Sequence, residues 1–183
     1  QALLPPGFAV KLPKDARIVF QSHHINTSEH DLVEADVARL HFAPAGSNPT
    51  LAGYFIMNSS QQNLAAHTQG QVTLTCSPPQ QLQALAVVGH MHYLGTSISL
   101  TRVRGGDTNT LYSVSQWQPQ FRDLPPVNVY PPSAPLTMEP TDTYTLTCNY
   151  DNQTDATVKF PTEMCASIAY YFPALPEATV LCE

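Results

Sequence analysis

The stretch Thr143–Tyr150 reads Thr-Tyr-Thr-Leu-Thr-Cys-Asn-Tyr, with small polar and large side chains in near-strict alternation. Side chains on a β-strand point to opposite faces at every step, so a period of two predicts a strand buried on one side and wet on the other. The same alternation recurs in Asp36–Phe42, Val72–Cys76 and Thr96–Val103. Leu51–Met57 and Met164–Phe172 are mostly apolar and read as strands, and Leu82–His92 carries the apolar run Leu85–Gly89, which reads as a buried strand. Further strands are predicted at Ala16–His24, Thr110–Trp117, Val127–Tyr130, Val158–Phe160 and Thr179–Cys182. Ser77-Pro78-Pro79 and Gly105-Gly106-Asp107 are turn signals, and Asn58–Gly70 and Pro119–Pro140 read as long loops. Only Glu29–Ala38 offers a turn of helix. This pattern predicts one all-β antiparallel sandwich of roughly eight to ten strands over residues 1–183, with 1–15 an irregular lead-in.

Composition narrows the function classes. Lys and Arg together number eight against fourteen acidic residues, a net charge of −6. No basic stripe exists to neutralise phosphates, which argues against nucleic acid as a partner. No run of 18 apolar residues exists to span a membrane. Gln1–Gly7 lacks a basic leader segment, which fits a processed form or an excised domain. The four cysteines contain no C-x-x-C pair, and an even count in a low-charge β chain favours two disulfides and an extracytoplasmic, oxidising compartment over four free thiols. Four cysteines allow three pairings. Three sequons, at Asn26, Asn58 and Asn152, are compatible with a secreted chain.

The sharpest chemical signal is His90-Met91-His92 at the end of the apolar run Leu85–Gly89. On a strand, His90 and His92 share a face and Met91 turns away. Two imidazoles are half of a metal site. H-E-x-x-H and G-x-S-x-G motifs are absent, so zinc hydrolysis and serine catalysis have no anchor. Met164, beside Cys165 at the start of an apolar strand, is a candidate third donor. A thioether with two imidazoles is a soft set that favours copper, Cu(I) above all.

With these residues in place the chain resembles the copper type II, ascorbate-dependent monooxygenases, the family of peptidylglycine α-hydroxylating monooxygenase and dopamine β-monooxygenase. Val88-Gly89-His90-Met91-His92-Tyr93-Leu94-Gly95 is similar to the family's His-Thr-His-x-Leu-Gly segment. Thr147–Tyr150, then Thr162-Glu163-Met164-Cys165 with Tyr170-Tyr171, resembles its Cys…Asp-Glu-Met-Cys…Tyr-Tyr block. Leu12–His23 resembles the approach to its Leu-Gln-Val-His-Tyr motif. The resemblance implies a jelly-roll-like C-terminal catalytic domain with disulfides Cys76–Cys182 and Cys148–Cys165. It implies catalytic copper on His90, His92 and Met164, activating dioxygen for C–H hydroxylation with ascorbate or another reductant. It makes His23 a candidate ligand for a second copper.

The sequence also departs from that pattern. The family's second copper draws an adjacent His-His pair from an upstream domain, and His23-His24 is not that pair, since His24 stands where the family has Tyr. The chain therefore reads either as the catalytic half of a longer protein or as a one-copper domain with a weak second site at His23, His24 and His30. His41 and His67 read as ordinary surface residues. Val88, Ala166 and Ile168 stand where the peptide-amidating enzymes grip a substrate carboxylate, so a small, non-carboxylate substrate is expected, with Tyr93 and Tyr170 as candidate pocket walls. The alternative to an enzyme is a non-enzymatic extracytoplasmic copper-binding or copper-handling protein that kept the metal site without the electron-transfer domain. A β-sandwich with vestigial histidines is the structural alternative.

Overall fold

A computed structural model describes residues 4–19 and 28–183. Its strands are β1 (Phe8–Val10), β2 (Thr50–Ser59), β3 (Asn63–Leu64), β4 (Thr68–Cys76), β5 (Leu82–His90), β6 (Gly95–Arg104), β7 (Asp107–Val114), β8 (Val127–Val129), β9 (Leu136–Met138), β10 (Thr143–Asn152), β11 (Val158–Lys159), β12 (Cys165–Phe172) and β13 (Thr179–Cys182). A single 3₁₀ turn, η1 (Pro119–Arg122), lies between β7 and β8. Eight of the strands have four or more residues, and the other five are two- or three-residue pieces.

Two sheets carry the fold. The larger is built on β2, β12 and β5, all antiparallel, with β12 at the centre. β1 and β13 pair with β2 in parallel, one after the other along its outer edge, and β9 and β8 do the same, antiparallel, along β5. The smaller sheet runs β4-β10-β6-β7, antiparallel throughout. Phe55 and Met57 of β2, Val87 of β5 and Tyr171 of β12 meet Tyr144, Leu146, Cys148 and Tyr150 of β10 in one core. Burying each such side chain is worth about 1.5–3 kcal/mol, which is why the alternation of β10 fixes which of its faces turns inward.

Both disulfides cross between the sheets. Cys76 of β4 joins Cys182 of β13, and Cys148 of β10 joins Cys165 of β12, with Cα atoms 6.4 and 5.8 Å apart. No cysteine is free. At the end of β6 away from His90, buried Asp142 takes two hydrogen bonds from Arg104, one from Tyr144 Oη and one from the Glu139 amide.

The expected strand at Asp36–Phe42 is absent. The segment is non-regular and exposed, with Val37 at 72% and Phe42 at 75%. Alternation makes a strand only where a sheet edge accepts it, and no described strand pairs with this segment. Ala16–Val19 is likewise non-regular, and Phe20–His24 lies outside the described residues. Residues 29–38 form no helix. The loop expected at 58–70 instead contains the end of β2, all of β3 and the start of β4. The Asn152 sequon is unusable in the folded chain. Asn152 is fully buried, and its Nδ2 donates to the carbonyls of Leu64, Ala65 and Ala156. The Asn26 sequon lies outside the described residues.

Candidate metal centre

β5 delivers His90 and then stops. The expected strand through His92 is two residues too long, and the reason is Met91. Its side chain is fully buried in the core. The chain then turns through Tyr93 and Leu94 into β6. Gly95 makes this turn possible, because a Cβ there would lie 2.6 Å from the Met91 Cε and 3.1 Å from the Trp117 ring.

The turn brings the two imidazoles together. His90 Nε2 and His92 Nε2 are 3.1 Å apart, with the rings nearly perpendicular at 87°. For metal–nitrogen bonds of about 2.0–2.1 Å, two ligands at square to tetrahedral angles lie roughly 2.8–3.4 Å apart, so the pair is spaced for one ion. His92 Nδ1 donates to the Thr162 carbonyl at 2.8 Å. That bond places the ring proton on Nδ1 and leaves the Nε2 lone pair free, the usual outer-sphere support of a metal-bound histidine. Burial, with the neighbouring His92 ring and Arg122 guanidinium, pushes the His90 pKa below the ordinary histidine value, and Asp123 partly offsets this. A neutral imidazole is the ligand form.

Glu163 organises the rest. Its carboxylate, 1% exposed, accepts the backbone N–H groups of His92, Leu94 and Met164. One buried anion therefore ties the histidine turn to the segment entering β12. Met164 sits between Glu163 and the bridged Cys165, and its carbonyl accepts the Tyr150 hydroxyl at 2.8 Å. Burial, chiefly, pushes the Tyr150 phenol pKa up, so it stays a donor. Met164 lies two residues before Ala166, the strand partner of His90. On the other side, Trp117 Nε1 donates to the His92 carbonyl at 2.9 Å. In the sequence Glu163 stands out only as part of a motif. A carboxylate entering a strand looks like a surface charge, and the contacts that identify its work span about 70 positions.

Among the described residues, no three His, Cys, Asp or Glu side chains converge as a metal site. His23 and His24 lie outside the described residues. His30 and His41 are exposed and remote in sequence from the pair, and His67 Nε2 bonds exposed Asp155 at 2.8 Å.

His90 opens onto the outer face of the larger sheet. Register places Asn58, Ala166 and His90 in one row, and Leu181, Ile56, Ile168, Val88 and Val127 in the next. A third row holds Thr179, Tyr54, Tyr170, Ala86 and Val129. None of these side chains is charged. Tyr54 and Tyr170 meet edge to face at 5.2 Å. Tyr170 thus belongs to this face, whereas Tyr93, 54% exposed, lies on the histidine turn.

Comparison with protein families gives one match. The family described as copper type II ascorbate-dependent monooxygenase, C-terminal domain, covers residues 51–182. Comparison with curated proteins gives no match.

Proposed function

Because the chain belongs to the C-terminal-domain family of copper type II ascorbate-dependent monooxygenases, we propose that His90, His92 and Met164 hold one copper at which a small-molecule C–H bond is hydroxylated. The observation that carries this reading is the 3.1 Å approach of the two Nε2 atoms, with His92 oriented by the Thr162 carbonyl. In this reading residues 1–183 act as one jelly-roll-like sandwich domain in an extracytoplasmic setting, with which the two disulfides are consistent.

Copper, when bound, supplies the one-electron chemistry that lets dioxygen attack an unactivated C–H bond. The protein's own part is positional. Glu163 holds His92 and Met164 on one frame through three N–H bonds. Thr162 fixes the His92 tautomer, and partial burial keeps His90 neutral and available as a ligand. Val88, Ala166 and Ile168 surround His90 with apolar surface. A substrate lying there meets no cation to grip a carboxylate, so an uncharged, largely apolar small molecule fits.

The same apolar surround supports a second reading, a copper-handling protein with no oxygenase reaction. The assignment of His23 to a second copper is kept as a proposal on the motif resemblance alone.

Calorimetric titration with Cu(I) and Cu(II) tests the site. His90→Ala and His92→Ala should each weaken binding by more than about 100-fold, beyond the 10–100-fold typical of outer-sphere losses. Met164→Ile should weaken Cu(I) more than Cu(II). Unchanged affinity in all three variants would sink the metal reading. Tight copper binding without reductant-dependent oxygen consumption would favour the copper-handling reading over the enzyme.

A further inference from the structure

The segment from Trp117 through η1 is fastened to the histidine turn at two points. Trp117 Nε1 donates to the His92 carbonyl, and the Trp117 ring meets Phe121 edge-on at 5.7 Å. The Arg122 guanidinium lies 4.6 Å above the centre of the Tyr93 ring, on the residue that follows His92. The β5–β8 register sets Val88 against Val127. A fixed cation therefore stands at the rim of the two-imidazole site, supplied by a different element from the sheet face around His90.

That cation has donors to spare. Asp123 takes the Arg122 Nε and Nη2 hydrogen bonds at 2.9 and 3.2 Å. A guanidinium has five N–H donors, so three remain. The Asp123 side chain is 65% exposed and the Arg122 side chain 28%, and a pair with one partner in open solvent is worth at most about 1 kcal/mol. An incoming anion can share or displace it at small cost. The whole chain carries −6 and repels anions at long range, so an anionic co-reactant needs a local cation to reach this rim. The family is ascorbate-dependent. At neutral pH ascorbate is a monoanion with its charge spread over adjacent ene-diolate oxygens, a shape that a guanidinium fork matches with two parallel bonds.

Resting on the copper reading above, we infer that Arg122, braced on Tyr93, is the docking residue for the anionic reductant ascorbate, beside His92. The docked monoanion gives one electron to Cu(II), releases its remaining ene-diol proton to water and leaves as the ascorbyl radical anion. Arg122 contributes position and charge, and the uncharged substrate keeps the apolar face to itself. Lys159, exposed and on the β11 side, has no such brace.

Two measurements test this separately from the copper assignment. On the metal-free chain, NMR titration with ascorbate should shift the Arg122 Nε–H and Tyr93 ring signals, while uncharged dehydroascorbate should not. On the copper-loaded chain under anaerobic conditions, loss of the Cu(II) EPR signal gives the reduction rate directly. Arg122→Gln should slow reduction by ascorbate about tenfold at low salt, within the range that local charge steering supplies. It should leave reduction by uncharged hydroquinone unchanged. Arg122→Lys should recover part of the loss, Asp123→Asn should speed ascorbate reduction, and Lys159→Gln should change nothing. Equal loss with both reductants, no loss in Arg122→Gln, or no ascorbate-induced shifts in the metal-free chain would overturn the inference. Failure of copper binding alone would instead overturn the site assignment.

Discussion

The outer faces of the two sheets are built on the same backbone pattern and carry opposite chemistry. On the smaller sheet, register aligns Thr75, Thr145, Thr101 and Thr110 in one row. Thr73, Thr147, Ser99 and Ser113 form the next, followed by Gln71, Asn149 and Ser97. These side chains satisfy one another where they touch. Gln71 donates to Asn149, and Asn149 donates to Ser97, at 2.8 and 2.9 Å. The outer face of the larger sheet presents Ile56, Val88, Ile168, Tyr54 and Tyr170 instead, with His90 at its end. Neither set of rows contains a charged residue. The hydroxyl face is content in water. The apolar face presents few polar groups, Asn58 in the His90 row and the Tyr54 and Tyr170 hydroxyls farther along, and it is the face that the histidine pair adjoins. On the copper reading, the difference separates a sheet that carries structure from a sheet that borders the chemistry.

Removing Glu163 should break this contrast most severely. Glu163→Ala leaves three backbone N–H groups without their acceptor. Hydrogen bonds to a charged group are worth about 1.5–3 kcal/mol each, and orphaned buried donors cost about 1–3 kcal/mol. A loss of roughly 3–5 kcal/mol in urea unfolding is expected, with copper affinity down at least tenfold. Hydrogen exchange should rise in the histidine turn and at the start of β12 before it rises in β4 and β10. Uniform acceleration across both sheets would mean that Glu163 supports the whole sandwich and not the site.

Asp142 sharpens the contrast from the far end. Arg104, mainly through its hydrogen bonds, holds the Asp142 carboxyl well below the usual carboxylate range. A depressed folded-state pKa gives stability that is fully present above the unfolded value, about 3.9, and is lost as pH falls below it. Asp142→Asn should cost roughly 1–3 kcal/mol at pH 7, because it weakens a buried charged acceptor that Arg104, itself partly exposed, shares with Tyr144 and the Glu139 amide. It should also flatten the acid limb of a stability–pH curve. Cu(II) affinity at pH 7, read by calorimetry, should not move.

The smallest effects come from exchanging single residues between the faces. Thr147→Val should change stability by no more than about 0.5 kcal/mol, as an edit of a partly exposed position. Ile168→Thr should cost about 1 kcal/mol through lost apolar contact. If Thr147→Val proved the costlier by thermal unfolding, the division of labour between the faces would be wrong.

Much of this was legible in residue order. Alternation located β4, β6 and β10, and the uniformly apolar runs located β2, β5 and β12. Those three are the strands whose outer faces are apolar, so the two-face contrast is itself written in the pattern. His90 and His92 stood out by spacing, although the geometry joining them is a turn and not a continued strand. The same reasoning failed at Asp36–Phe42, where a good pattern found no partner edge, and at Asn152, where a sequon proved to be a buried linchpin. Glu163 and Arg122 were beyond reach because their partners lie about 70 and 30 positions away, and no periodicity reports a contact at that range.

The ties from Thr162 and Glu163 to His92 also set an order of assembly. The histidine turn follows β5 directly, but its imidazole is aimed by residues made some 70 positions later, at the entry to a strand that must slot between β2 and β5. Contacts so distant in sequence close late, after the entropy of the intervening loop has been overcome. A nascent or half-folded chain therefore carries two histidines but no aligned pair. On the copper reading proposed above, metal capture would report completion of the sandwich, and a chain stalled before β12 docks would have little with which to hold a redox ion loosely in the wrong place.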